Sequence, residues 1–128
     1  MKREDKELLL KDLCDRLPYK VKVLIEDDCD YDSIVEGVDI YGYICDESGM
    51  NIDISIVRPY LFPLSSMTEK QYDEFIDMSY SITERGISMA NYHQIDWFNK
   101  NHFDYRGLID KKLAVDATNL NVYVVNKM

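Results

Sequence analysis

The fold of this chain is decided around one stretch, Arg58-Pro59-Tyr60-Leu61-Phe62-Pro63-Leu64-Ser65-Ser66-Met67-Thr68-Glu69. The sequence before it is typical of strands, and the sequence after it is typical of helices. Proline lacks a backbone N–H donor and has a fixed φ, so the two prolines argue against a central strand. The apolar residues between them instead predict an extended connector across a core. Ser66 stands three residues before Glu69, as in a capping box, and Thr68 is a second candidate cap, so a helix is predicted to begin here.

The residues before this junction predict one helix followed by a small antiparallel sheet. Apolar positions at helical spacing predict a helix over residues 3–16, and Leu17-Pro18 is expected to end it. Short runs of apolar and β-branched residues then predict an antiparallel meander of about four strands, at residues 19–25, 31–38, 38–45 and 51–57. Residues 46–49 carry a turn signal. We expect this small sheet to be barrel-like.

The residues after the junction predict two helices and an irregular tail. Helical spacing of apolar residues indicates helices over about 68–81 and 89–101, separated by a turn at 84–86. A structured loop follows, and the tail at 113–117 and 122–125 is expected to supply one or two edge strands. The predicted class is therefore α+β.

The length of 128 residues and a hydrophobic content of 46% predict a single domain that buries a core without staples. Within it, residues 1–57 hold the first helix and the acidic meander. Residues 58–68 form the proline-rich junction, and residues 69–128 form the helical half and the tail.

Charge is unevenly distributed along the chain and limits the class of partner. The net charge is -9, and residues 23–57 contain ten Asp and Glu residues but no Lys or Arg. Such a surface repels phosphate backbones, so direct binding of nucleic acid is not expected. The predicted partner is a protein with a basic surface. No apolar run approaches the roughly 20 residues of a membrane span, and the charged N-terminus does not resemble a signal peptide, so a cytoplasmic protein is expected.

Neither a metal nor another cofactor is predicted. The three cysteines, Cys14, Cys29 and Cys45, suit neither a disulfide framework nor a zinc site, and reduced thiols are expected. Residues 28–32 alternate Asp with other residues as the first half of a calcium loop does. However, Ser33 and Asp39 stand where that loop requires Gly and Glu. The stretch is interpreted as a solvated hairpin tip.

Two groups of residues are candidates for binding a partner. The first combines acidic residues with tyrosines in or beside the predicted sheet, and it consists of Asp27, Asp28, Asp30, Asp32, Tyr41 and Tyr43. The second is the polar and aromatic loop that contains His102, Asp104, Tyr105 and Arg106. Tyrosine and arginine are favoured anchors at interfaces. The loop has an alternative interpretation as an internal clasp, with Arg106 paired to a carboxylate and Gly107 at positive φ.

Two stretches carry a resemblance to a known family. The junction resembles a recurring K/R-P-Y-L-x-P-x-S-S-M-T-E signature, and residues 96–109 (DWFNKNHFDYRGLI) are similar to its companion, W-L-N-x-x-H-F-D-Y-R-G-L-I. The opening helix with Leu17-Pro18-Tyr19 also fits, whereas the strand region departs most. The family comprises short uncharacterised proteins of gut anaerobic bacteria, their phages and mobile elements. The resemblance implies a phage or mobile-element setting and assigns no catalytic residue.

Three hypotheses for function follow. The first is a non-enzymatic, acidic protein-binding module of a phage or mobile element, which would modulate a host protein, for example by mimicking nucleic-acid charge. The second is a small metal-dependent or hydrolytic enzyme that uses the loop from His102 to Arg106. The third is a structural or assembly protein, a homo-oligomer formed through an edge strand near residues 122–125. The chain lacks the common nucleophile, phosphate-loop and zinc-helix motifs, so the first hypothesis is favoured.

Overall fold

The computed structural model of this chain describes residues 1–82 and 87–123. For residues 78–82 and 87–92 it describes the backbone alone. Its helices are α1 (Arg3–Asp15), α2 (Glu69–Ile82) and α3 (Ile87–Lys100). Its strands are β1 (Lys22–Ile25), β2 (Tyr31–Val38), β3 (Ile44–Asp46), β4 (Asn51–Ile52), β5 (Val57–Pro63), β6 (Phe103–Asp104) and β7 (Val115–Asp116). The α+β class, the N-terminal helix and the two later helices are thus confirmed. The turn predicted at 84–86 lies outside the described residues.

The strands form one open, mixed sheet. Antiparallel pairing links β4, β3, β2, β1 and β5 in that order, while β6 and β7 each pair with β5 in parallel. The prediction of a barrel-like sheet was wrong, because the order begins at β4 and ends at β6, and those two strands do not pair. About four meander strands and one or two tail strands were expected, and the described residues contain seven strands. β7 lies within the tail segment 113–117, as predicted, whereas the part of the junction in β5 and the short strand β6 were not predicted.

The junction was interpreted as a connector, and that interpretation was wrong. Its first half is β5, which pairs with β1 on one side and with both parallel strands. Val57 and Leu61 are fully buried in this strand. The longest apolar run of the junction therefore lies in the sheet itself rather than across it.

The prolines of β5 fit because of where their nitrogen atoms point. The N–H of Glu26 donates to the carbonyl of Ile56 at 2.8 Å, so even-numbered residues of β5 direct their hydrogen-bonding groups towards β1. Pro59 and Pro63 are odd-numbered, and their nitrogens face the other edge. There β7 pairs only with residues 60 and 61, which lie between the two prolines. Neither proline removes a donor that a neighbouring strand needs.

Aspartates shortened two of the predicted strands. The Asp53 carboxylate accepts a hydrogen bond from the Ser55 N–H at 2.8 Å, and a 3-10 turn forms at Ile54–Ile56 where residues 51–57 were expected to be extended. Asp39 acts in the same way within residues 38–45, which contain a turn before β3. Asp side chains compete with strand pairing by binding nearby backbone N–H groups.

The start of α2 was predicted correctly at its second candidate. Thr68 Oγ1 accepts from the Gln71 N–H at 3.1 Å, and the Gln71 side chain accepts from the Thr68 N–H at 2.8 Å. This reciprocal pair is a capping box. Ser66 instead donates its hydroxyl proton to the carbonyl of Pro63.

The core lies between α1 and the sheet. Leu9 and Leu13 of α1 are fully buried against the apolar residues of β1, β2, β3 and β5. A second, aromatic cluster joins the α2–α3 pair to β6, where the Trp97 ring stacks on Phe103 with centroids 5.5 Å apart. No helix within the described residues has the length and apolar character that a membrane crossing requires.

Candidate functional site

The β1–β2 connection and the first two residues of β2 form an exposed acidic hairpin tip, defined here as residues 26–32. Glu26 forms an ion pair with Arg58 at 3.2 Å, and the Asp27 carboxylate accepts the N–H of Asp28. Within residues 1–82 and 87–123, no Lys or Arg forms an ion pair with Asp27, Asp28 or Asp30. Their charges are therefore directed at solvent.

Asp32 differs from the other aspartates of the acidic hairpin tip because it has a protein partner. It accepts a hydrogen bond from the Tyr60 hydroxyl at 2.6 Å. Burial, together with this hydrogen bond and the charge of Asp32, raises the pKa of Tyr60 to about 12. Asp32 thus ties the hairpin to β5 while remaining exposed.

The opposite end of β2 carries a hydrogen-bonded turn at residues 39–43, called here the Asp39 turn. The Asp39 carboxylate accepts the N–H groups of Tyr41 and Tyr43 at 2.8 and 3.0 Å, and its carbonyl accepts the Gly42 N–H. Gly42 has φ of +83°, which favours glycine. The turn presents two apolar side chains to solvent, with Ile40 91% and Tyr41 80% exposed. Asp39 followed three residues later by Gly42 is a turn signal in the sequence. The apolar residues over 38–45 led to a predicted strand instead.

A cavity of about 250 Å³ lies between the Asp39 turn and α1. It is lined by Lys6, Glu7, Leu10, Tyr41, Gly42, Tyr43, Asp53 and Ile54. Hydrogen bonds from Ser55 hold the pKa of Asp53 below its ordinary value, and the charge of Lys6 adds to the effect. The cavity therefore combines tyrosines, apolar side chains and an ionised carboxylate.

The predicted sheet candidates thus occupy two separate places. Tyr41 and Tyr43 lie on a turn rather than on a sheet face, and β2 separates them from the acidic hairpin tip. Eight residues of strand at roughly 3.3 Å per residue place the two ends about 23 Å apart.

The loop that follows α3 is attached to the interior of the protein by two arginines, Arg106 of the loop and Arg16 at the end of α1. Asp12, which is fully buried, accepts from Arg16 Nε at 2.8 Å and from Arg106 Nη1 at 2.7 Å. Arg106 also donates to Asp15. The ring of Tyr105 lies 5.4 Å from the Arg16 guanidinium and 4.6 Å from that of Arg106. The two cations are held together by one shared carboxylate and one aromatic ring.

Asp104 completes these internal contacts. Its carboxylate is buried and accepts the backbone N–H groups of Leu108 and Ile109 at 2.9 Å each. Gly107 supports the intervening turn with φ of +76°. These are the contacts that the internal-clasp interpretation predicts, with Arg106 on a carboxylate and a glycine at positive φ.

His102 lies at the end of α3 in a mostly buried position. Its φ is +61°, and its ring stacks on Tyr123 with centroids 3.8 Å apart. Burial, together with the positive charge of Arg16, lowers the pKa of His102 to about 4. Its Nδ1 atom is buried without a hydrogen-bond partner in the described part of the chain. The imidazole is therefore neutral near pH 7.

Tyr123 was not singled out by sequence reasoning, yet its hydroxyl joins the strands β1 and β5. Its hydroxyl accepts the Lys22 N–H at 2.8 Å and donates to the Tyr60 carbonyl at 2.8 Å. It replaces a direct ladder bond at the point where β1 and β5 separate. The apolar run at residues 122–125 was interpreted only as a candidate edge strand, and nothing local in it indicates where the Tyr123 hydroxyl binds.

Comparisons with models of known families, with curated proteins and with solved structures found no match to this chain. Among the side chains described, no group of three or more His, Cys, Asp or Glu is placed to hold a metal ion. The interpretation of the site therefore depends on its geometry and charge.

Proposed function

We propose that this protein is a non-enzymatic protein-binding module that contacts a basic protein surface through the acidic hairpin tip. The observation that carries the proposal is the exposure of Asp27, Asp28 and Asp30, whose carboxylates form no ion pair with a Lys or Arg of the described residues. Charged groups of this kind accelerate encounter with an oppositely charged partner and reject partners of like charge.

The finer form of the proposal is that these carboxylates mimic nucleic-acid charge. A cleft that binds phosphates with Lys and Arg side chains also attracts a compact group of carboxylates. The protein would then occupy such a cleft on a host protein and modulate its activity. The resemblance of the two sequence motifs supports a phage or mobile-element setting for this interaction.

The two other hypotheses receive less support from the geometry. An enzyme that uses the loop from His102 to Arg106 needs polar atoms that face a substrate. The carboxylate of Asp104 and the guanidinium of Arg106 are instead hydrogen-bonded within the chain. The edge strand expected near residues 122–125 lies in part outside the described residues, and residue 122 is in a turn.

Affinity purification from a host lysate tests the proposal when two matched variants are compared. The test variant is D27N/D28N/D30N/D32N, in which Asn keeps the size of each side chain and an acceptor for Tyr60. The control variant, E4Q/E69Q/D73N/D77N, removes four exposed charges elsewhere on the surface. We expect a partner with a basic surface to be recovered by the wild type and the control but not by the test variant. Recovery of no partner, or equal recovery by both variants, would contradict the proposal.

A further inference from the structure

We propose that the cavity between α1 and the Asp39 turn accepts an arginine side chain of the protein partner. This inference rests on the proposed function, because it supplies the site for one basic residue of the partner. It concerns a different end of β2 from the acidic hairpin tip, so the two can be tested separately.

The lining of the cavity matches the parts of an arginine side chain. Leu10 and Ile54 offer apolar contact to the methylene stem. Tyr41 and Tyr43 offer aromatic rings, on which a planar guanidinium stacks favourably. The Asp53 carboxylate, which is held in its charged form, offers an acceptor for the N–H donors.

The charged groups at the cavity allow an incoming guanidinium to exchange for a cation of this chain. Glu7 and Asp53 contribute two negative charges, and Lys6 contributes one positive charge. Arg3, one turn before Glu7 in α1, forms an exposed ion pair with it, and the two side chains are 3.2 Å apart. Cations of this chain therefore already lie near both carboxylates. Exposed pairs of this type are weak, so an incoming guanidinium can displace them.

The interior of the same protein shows that arginine suits this combination of groups. Arg16 and Arg106 each lie over the ring of Tyr105 while they bind the carboxylate of Asp12. The cavity repeats the components of that arrangement at the surface, with tyrosines and carboxylates but without an arginine of its own in the lining. Lysine carries a compact charge and lacks the planar stacking surface.

The Asp39 turn is held in place before any partner arrives. The Asp39 carboxylate binds the backbone N–H groups of Tyr41 and Tyr43 and so holds the main chain that carries their rings. Gly42 lies close to α1, since a Cβ added to it would be 3.9 Å from Leu10. A preorganised turn loses little conformational entropy on binding. The cavity is thus suited to receive a side chain rather than to form around it.

NMR titration of the whole chain with N-acetyl-arginine amide tests the inference. We expect saturable shifts of the backbone amides of Gly42 and Ile54. N-acetyl-citrulline amide, a neutral molecule of nearly the same shape, should bind at least tenfold more weakly. Tyr41→Ala should also weaken arginine binding about tenfold, and its fold can be checked by thermal unfolding because this side chain is largely exposed.

The sign of the charge is tested by Lys6→Gln. Removing this competing cation should tighten arginine binding by about threefold, because exposed surface pairs are weak. The matched control is Lys11→Gln, which removes an exposed lysine near Asp15 and should leave binding unchanged. Absence of saturable shifts, equal binding of citrulline, or weaker binding in Lys6→Gln would overturn the inference.

The same variants distinguish this inference from the proposed function. If the captured partner still binds Tyr41→Ala and is lost only when the acidic hairpin tip is neutralised, the cavity is not an arginine site but the protein remains a binding module. If arginine binds the cavity while neutralising the hairpin tip changes nothing, the inference stands and the assignment of the hairpin tip fails.

Discussion

Acidification should weaken the fold through His102. Burial and the neighbouring Arg16 lower the pKa of this imidazole to about 4 in the folded protein, whereas in the unfolded chain it is about 6.5. Between these pH values the unfolded state binds a proton that the folded state does not. The free energy of unfolding contributed by His102 is therefore complete above pH 6.5 and is lost as the pH falls towards and through 4.

The size of the effect follows from the two pKa values. Each pH unit between them is worth about 1.4 kcal/mol, so the interval from 6.5 to about 4 corresponds to about 3 kcal/mol. For a domain of this size that is a large part of a total stability of roughly 5–15 kcal/mol. Charging the ring would also place a cation beside Arg16, in a stack with Tyr123.

Urea unfolding at pH 7, 6, 5 and 4 measures this contribution when two variants are compared with the wild type. His102→Asn and His102→Gly both remove the titrating ring and both tolerate the positive φ at this position. Each variant will be less stable than the wild type at pH 7, because it loses packing. The free energy of unfolding of the variant minus that of the wild type should then rise by about 3 kcal/mol between pH 7 and pH 4, because only the wild type loses stability through His102. A difference that stays constant over this range, or an NMR titration of His102 with a midpoint near 6.5, would refute the reasoning.

Three further predictions concern contacts that hold the fold together. Asp12→Ala should lower the free energy of unfolding by about 3–5 kcal/mol, because Arg16 and Arg106 lose a shared partner, and Asp15→Ala should cost clearly less; equal losses in urea unfolding would contradict this. Tyr123→Phe should cost about 1–3 kcal/mol in the same assay, because a backbone donor and a backbone acceptor lose the bridging hydroxyl; an unchanged stability would show that the bridge is not formed. Thr68→Ala should cost about 1 kcal/mol through loss of the helix cap, whereas the exposed neighbour Ser65→Ala should stay within about 0.5 kcal/mol; similar losses in both variants would remove the cap as the cause.

Local patterns were sufficient wherever the structure depends on neighbouring residues. The predicted helix over residues 3–16 is observed as Arg3–Asp15, and the strand predicted over residues 31–38 is observed as Tyr31–Val38. The cap of α2 also depends on residues only three positions apart, Thr68 and Gln71. Helical periodicity and caps are encoded within about one or two turns of chain, so the sequence displays them directly.

The same local rules failed where aspartate side chains compete with strand pairing. Residues 51–57 alternate as a strand does, yet Asp53 folds the middle of the stretch into a turn. Ile52 and Ile54 are nevertheless both buried, at 5% and 7% exposure. The alternation of apolar residues therefore agrees with the burial of Ile52 and Ile54, whereas Ile56 is only partly buried and the backbone of the stretch is not a strand throughout.

The candidate sites also differ in how far the sequence could predict them. The exposure of the acidic hairpin tip follows from its charge, and it could be predicted from composition alone. The arginine contacts could not, because Arg106 and Asp12 are 94 residues apart and the chain offers 24 Asp and Glu residues as partners. The cavity beside the Asp39 turn was likewise out of reach, since its lining comes from α1, the turn and the segment after β4.

The sequence by itself determined the α+β class, the first helix, the acidic character of residues 23–57 and the start of a helix just after the junction, with two candidate caps for it. Only the tertiary structure decided that the stretch with Pro59 and Pro63 is a strand of the sheet. A proline is excluded from a strand only if its nitrogen faces a carbonyl that needs a donor. Here the direction of that nitrogen depends on register with β1, and the absence of a pairing residue depends on the short length of β7. Both are properties of strands distant in sequence, so no local pattern in the junction could reveal them.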